Sequence, residues 1–251
     1  MRTVATFGKF IFALTLVLAL AAAKSAGAAL LISNGGFESG LAGWTRADAI
    51  GSEGTFAIQS GTASPVNLDP VPAPPGGIIA AMTDAAGPGS HVLYQDFVVP
   101  SLPGTAVFTF DLFIGNRANA FFTPSPASLD FSTPAFNQQA RVDILRSGTD
   151  PFSVSSSDVL LSVLQTHPGD ALVAGYTTHS TDLTALLAAN AGQTLRLRFA
   201  ETDNVFTFQL GVDNVSLNTQ AAVPEPSSWL LLGTNLMSLI GITWRRAWRL
   251  R

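Results

Sequence analysis

Cysteine is absent from this chain of 251 residues. That excludes disulfides, thiolate nucleophiles, Cys-ligated zinc and iron–sulfur clusters. Charge is scarce too: 12% of residues are charged, against about 25% in an ordinary soluble domain. The net charge of −4 gives no footing for a nucleic-acid partner. The only histidines are His91, His167 and His179, and none has another histidine two or four positions away, so metal-triad spacing is missing. No G-x-S-x-G elbow, H-E-x-x-H, P-loop or G-x-G-x-x-G occurs. With no catalytic constellation to point to, the sequence reads as that of a non-enzyme. Apolar residues are plentiful, at 47% with a mean hydropathy of +0.34, which argues against intrinsic disorder.

Much of that apolarity lies at the two ends. Residues 1–28 run from Arg2 and Lys9 through an apolar stretch, Phe10 to Ala23, into the small residues KSAGAA. This is the order of a secretory signal peptide, with cleavage expected after Ala28; the alternative is an uncleaved anchor. At the other end AVPEPSS precedes an apolar run from Trp229 to Trp244, 16 residues. As a helix it would rise about 24 Å at ~1.5 Å per residue, a little short of a hydrocarbon core of ~30 Å. Arg245, Arg246, Arg249 and Arg251 follow and would hold the cytoplasmic side, leaving the body outside the cell. Pro224 and Pro226 cannot extend a helix upstream, so the segment between body and anchor reads as extended and accessible.

Three ordered elements at the C-terminus, Val223-Pro224-Glu225-Pro226, the apolar run from Ser227 to Thr243, and Arg245-Arg246, resemble the PEP-CTERM sorting tail. The resemblance covers residues 223–251. It implies processing near the PEP motif by an exosortase, a membrane peptidase of Gram-negative bacteria. It also implies an inner-membrane-anchored precursor, delivery to the cell surface or matrix, and association with exopolysaccharide. The alternative is a plain single-span anchor.

Between the ends lies a body of residues 29–222, with six arginines, no lysine and sixteen carboxylates, a net charge of −10. Such a domain repels phosphate backbones and anionic lipids and suits divalent cations or neutral partners. Alternating segments such as HVLYQDFVV, AVFTFDLFI, TLRLRFA and FTFQLGVDNVSL, separated by Gly, Pro, Asn and Ser, predict an antiparallel β-sandwich. One helix is expected over Asp182–Ala189, capped by Thr181 and stopped by Asn190-Ala191-Gly192. Residues 64–77 are too rich in proline for a strand. The long connection from Asn116 to Gln139 carries Phe121, Phe122, Phe131 and Phe136; it reads as a flap over the sandwich edge, with a functional rim as the alternative.

LISNGGFESGLAGWT near the start of the body, LYQDFVVP in its middle and GVDNVSL at its end resemble the galactose-binding-like jelly roll of carbohydrate-binding modules. The fold implied is an all-β, antiparallel jelly-roll β-sandwich. In that family the opening Glu and the closing Asp meet at one edge around a structural calcium. Carried over, this nominates Glu38 and Asp213 as Ca²⁺ ligands, a hard oxygen pair suited to that ion. From the residues themselves, Asn34-Gly35-Gly36 reads as a turn needing positive φ, with Gly40 and Gly43 permitting a bend. Phe37 and Trp44 read as apolar anchors, Trp44 as core before ligand platform.

Two functions are therefore in view: a surface or matrix structural protein held in the exopolysaccharide layer, and a carbohydrate-binding module for a defined glycan. Sugar platforms favour exposed Trp or Tyr faces. The body offers only Trp44, Tyr94 and Tyr176, and this scarcity favours the structural reading.

Overall fold

The computed structural model describes residues 28–84 and 87–221, which form one compact unit. The signal segment up to Gly27, the sorting motif Val223–Pro226, the apolar run and Arg245-Arg246 lie outside the described residues. Among the described residues no helix is long and apolar enough to cross a membrane.

Among the described residues, twelve strands and one short helix follow in chain order. The first six strands are β1 (Ala28–Leu30), β2 (Glu38–Leu41), β3 (Thr45–Asp48), β4 (Thr55–Ser60), β5 (Ile79–Asp84) and β6 (Gly89–Val98). Then come β7 (Pro103–Asn116), β8 (Gln138–Arg146), β9 (Val159–Gln165), β10 (Val173–Asp182), α1 (Thr184–Ala189), β11 (Thr194–Asp203) and β12 (Phe208–Ala221). One sheet has the order β10-β7-β12-β5-β4, with β1 also on β12; the other is β3-β6-β11-β8-β9. All pairings are antiparallel. Apart from β4–β5 and β8–β9, sheet neighbours come from distant parts of the chain, as in a jelly roll, and the expected two-sheet antiparallel sandwich is what the chain forms.

Alternation builds the core. Phe108, Phe110 and Leu112 of β7, Leu210 and Val212 of β12, and Leu195, Leu197 and Phe199 of β11 point between the sheets at every second position, as a pleated strand requires. Trp44 joins them: its ring lies 5.3 Å from Phe37 and 6.0 Å from Phe199, and its indole N–H donates to Asn34 O at 3.1 Å. It is core, as its sequence context suggested. On the opposite face of the second sheet, Arg198 is wholly buried against Asp143 and donates to Pro151 O and Ser153 O, fastening loop 147–158 over that face.

Three local expectations need correction. Positive φ in the Asn34–Phe37 turn falls on Asn34 (48°) and Phe37 (56°), not on the two glycines. Gly35 is demanded by space instead: a Cβ there would lie 1.8 Å from the carbonyl oxygen of Val215. Gly40 and Gly43 do take positive φ, as expected. The helix begins at Thr184 rather than Asp182, because β10 keeps residues through Asp182 extended. Thr181 therefore caps nothing; Asp182 Oδ1 accepts the Thr184 N–H at 2.8 Å.

The proline-rich loop 64–77 is irregular, as predicted, apart from a bridge between Ala63 and Pro70. It is strapped to the outer face of the first sheet: Asp84 Oδ2 accepts the N–H groups of Val66 and Asn67, and Gln59 Nε2 donates to Pro72 O at 2.7 Å. Val71 packs beneath it with Met82, Phe113 and Tyr176. The long connection before β8 is both flap and rim. Phe121 and Leu129 are buried while Phe136 is 63% exposed.

Candidate functional site

Glu38 and Asp213 do come to the two sides of one loop. Glu38 opens β2, and Asp213 sits where β12 breaks register before Ser216, next to Asn214 at φ 49°. Residues 76–79 thread between them. Gly76 N–H donates to Asp213 Oδ2 at 3.0 Å, and the N–H groups of Ile78 and Ile79 donate to Glu38 Oε1 at 2.9 and 3.3 Å. The glycines leave room for the close approach: with the side chains as they stand, a Cβ on Gly77 would lie 1.9 Å from Glu38 Oε1, and one on Gly76 2.3 Å from Asn214 Oδ1.

One residue the sequence did not single out completes this edge. Asp111, opposite Asp213 on β7, accepts from Thr178 Oγ1 at 2.6 Å and from Asn214 Nδ2 at 2.7 Å. Burial, with lesser help from the charges of Asp111 and Glu38, pushes the Asp213 carboxyl up to about 6. The donor set is all oxygen and carries excess negative charge, which suits a hard cation. Against that, Glu38 Oε1 and both Asp213 oxygens already accept amide N–H groups. Among the described residues no group of three or more His, Cys, Asp or Glu is placed to hold a metal ion. As described, the pair is a clamp on the loop.

Among the described residues no Trp or Tyr side chain is largely exposed. Trp44 is in the core, the Arg196 guanidinium lies 3.9 Å from the centre of the Tyr94 ring, and Tyr176 is packed on Phe113 with its hydroxyl donating to Gln59 Oε1 at 2.7 Å. Two phenylalanines take the exposed role instead. Phe136 and Phe206, 63% and 62% exposed, are the only Phe, Tyr or Trp side chains more than half open among the described residues. Both stand at the end of the sandwich where β7 and β11 finish and β8 and β12 begin.

Their backbones are held firmly. Gln138 donates to Phe206 O at 2.7 Å and accepts from the N–H groups of Val205 and Phe206. Asn204 Nδ2 donates to Phe131 O and Ala135 O, and Asn204 Oδ1 accepts from Asn137 N–H at 2.7 Å. Phe122 meets Phe136 edge-on at 5.3 Å. Nothing in the sequence marks Phe206, which follows Asp203-Asn204 and looks like any turn residue.

The histidines have structural surroundings. His91 Nδ1 lies 2.8 Å from Asp48 Oδ1, and His179 stacks on Phe110 at 5.0 Å. Burial lowers the His179 pKa, the Asp111 charge opposing it. His167 is exposed. Ala28, the expected cleavage residue, opens β1 opposite Gln220.

No protein-family model matches this chain, and no curated protein matches it by sequence. Solved structures with a similar fold include the K3 cleaved adhesin domain of Lys-gingipain from Porphyromonas gingivalis W83, at 18% identity over 76% of this chain and 99% of that one, with a TM-score of 0.46. TmCBM61, solved in complex with beta-1,4-galactotriose, is 11% identical over 75% and 97% of the two chains, with a TM-score of 0.43. A Stig cyclase from Fischerella sp. TAU is 19% identical over 78% and 100%, with a TM-score of 0.45. At such identities and scores nothing about ligand or activity passes from them to this chain.

Proposed function

We propose that this is a non-enzymatic exported protein of the cell surface or extracellular matrix of a Gram-negative bacterium, whose sandwich associates with exopolysaccharide through its aromatic end. The observation that carries the reading is the pair of open rings, Phe136 and Phe206, on turns pinned by Asn204 and Gln138. Such rings stack on the C–H faces of sugars, and an acidic body favours an uncharged chain. The signal cut after Ala28, the exosortase at Val223–Pro226 and the membrane stop at Arg245 and Arg246 belong to the same proposal. So does structural Ca²⁺ beside Glu38 and Asp213, supported by the oxygen donors and the neighbouring Asp111 carboxylate at that edge.

Cosedimentation of the body with exopolysaccharide from the producing cells tests the association. Retention that drops on Phe136→Ala with Phe206→Ala supports it; no retention of the native body overturns it. The second reading, recognition of one defined glycan, is favoured by the rigidity of those turns and predicts saturable binding to a single purified oligosaccharide.

A further inference from the structure

The end of the sandwich opposite the aromatic rim has a different character. Leu30 pairs with Asn218, Asn218 with Val107, and Ala221 with Pro103. Val99 N–H donates to Gln193 O at 2.9 Å, and Leu183 N–H to Ala106 O at 2.9 Å, so four stretches of chain converge there. Residues 28–33, 99–107, 183–195 and 216–221 contain not one charged side chain, in a body with six arginines and sixteen carboxylates. The same end exposes Leu30 (61%), Val98 (63%), Leu102 (68%) and Val107 (45%). Of the flanking charges, Asp96 and Arg196 are spent on each other at 2.7 Å, while Asp182, opposite Val107, is exposed.

We infer that this end is a lipid-contacting foot, seated in the interfacial layer of the membrane while the tail is anchored. The inference rests on reading residues 223–251 as a membrane tail. Tether length forces proximity: Trp229, where the apolar run begins, is eight residues beyond Ala221, so it lies at most about 29 Å away at ~3.6 Å per residue. Charge favours this orientation. An acidic body is repelled by anionic lipid where carboxylates crowd; the four stretches at the tether carry none, and the exposed charges that border them are of both signs, Asp182 opposite Val107 and Arg146 opposite Leu195. Each exposed apolar side chain that enters the interface gains at about 25 cal/mol per Å² removed from water. β7 spans fourteen residues, roughly 45 Å at ~3.3 Å each, so the aromatic rim is held that far out from the lipid.

The absence of cysteine makes the test clean. Full-length chain carrying Leu102→Cys, Phe136→Cys or Ser238→Cys is labelled with an environment-sensitive fluorophore. It is then reconstituted into phosphatidylcholine vesicles containing some phosphatidylglycerol and spin-labelled lipid. Quenching with a blue shift at 102 and 238, and water-like emission at 136, is the expected result. Quenching at 238 with water-like emission at 102 overturns the foot and leaves the anchor intact. Water-like emission at 238 overturns the anchor and the foot with it. All three substitutions replace exposed or tail residues, and circular dichroism confirms the fold in each.

Discussion

Glu201 stands directly opposite His91 across the β11–β6 ladder, and neither Glu201 Oε1 nor His91 Nε2, both buried, has a hydrogen-bond partner. Burial, with the charge of Asp203, drives the Glu201 carboxyl well above the usual range; burial alone brings Asp203 to about 7. His91 meets Asp48 on its other side. The core therefore ends in carboxyl groups that favour the protonated form.

The consequence is a protein more stable in mild acid than at neutrality. Glu201, Asp203 and Asp213 have folded-state pKa values raised above their unfolded ones, so the native chain keeps protons that the unfolded chain has lost. Stability falls as pH rises from about 4 through about 7, where Asp203 ionises. Asp48, Asp130 and Asp182, held low, act oppositely as pH drops below their ordinary value of 3.8, and His179, held low by burial, does so as pH drops below 6.5. A tenfold difference in proton affinity between folded and unfolded chain is worth about 1.4 kcal/mol, so denaturant unfolding is expected to give more stability at pH 5 than at pH 8, by an amount on the order of 2 kcal/mol. Glu201→Gln removes part of that difference; equal stability at both pH values would contradict the assignment.

Glu38→Ala takes the acceptor from two amide donors and releases the loop between residues 62 and 78. The expected cost is about 1–3 kcal/mol, with faster amide exchange at Ile78 and Ile79. Gly77→Ala acts on the same contact by collision and at φ 58°. If calcium is held there, a chelator lowers the Tm of the native body and leaves that of Glu38→Ala unmoved; an unchanged Tm in both means that no calcium is held.

Asp143→Ala strands the buried Arg198 guanidinium under loop 147–158. Losing one partner of such a pair costs about 3–5 kcal/mol, read as a shift in the urea midpoint. Proteolysis is expected to begin in that loop, whose carbonyls at Pro151 and Ser153 hold Arg198.

Phe136→Ala with Phe206→Ala is expected to leave stability within about 0.5 kcal/mol, since both rings are open to solvent. A large drop in Tm would make them structural and remove them from any recognition surface.

Alternation and turn residues made the sandwich legible: strands such as TLRLRFA and AVFTFDLFI have every second residue apolar, and the structure uses that face. Trp44 was legible as core because glycines and Phe37 surround it. The pairing of Glu38 with Asp213 came from a family resemblance; spacing in the chain says nothing about two residues 175 positions apart. Asp111 and the glycines at 76 and 77 were hidden for the same reason, since their roles depend on which loop passes between which strands. Phe136 and Phe206 defeated the expectation that phenylalanine prefers burial, because their backbones are tied down by Asn204 and Gln138 before their side chains can turn inward.

β12 starts two residues after Phe206 and ends at Ala221, so a polymer caught at the rim and an anchor at the tail would pull on the two ends of a single strand. Its ladder bonds to β7 run across that line of pull. A load along the strand is then shared by the whole ladder in shear, and cannot open it one bond at a time as a zipper opens. Were a load applied between rim and tail while the tail is still anchored, it would run in that direction, and the longest two strands of the fold lie along it.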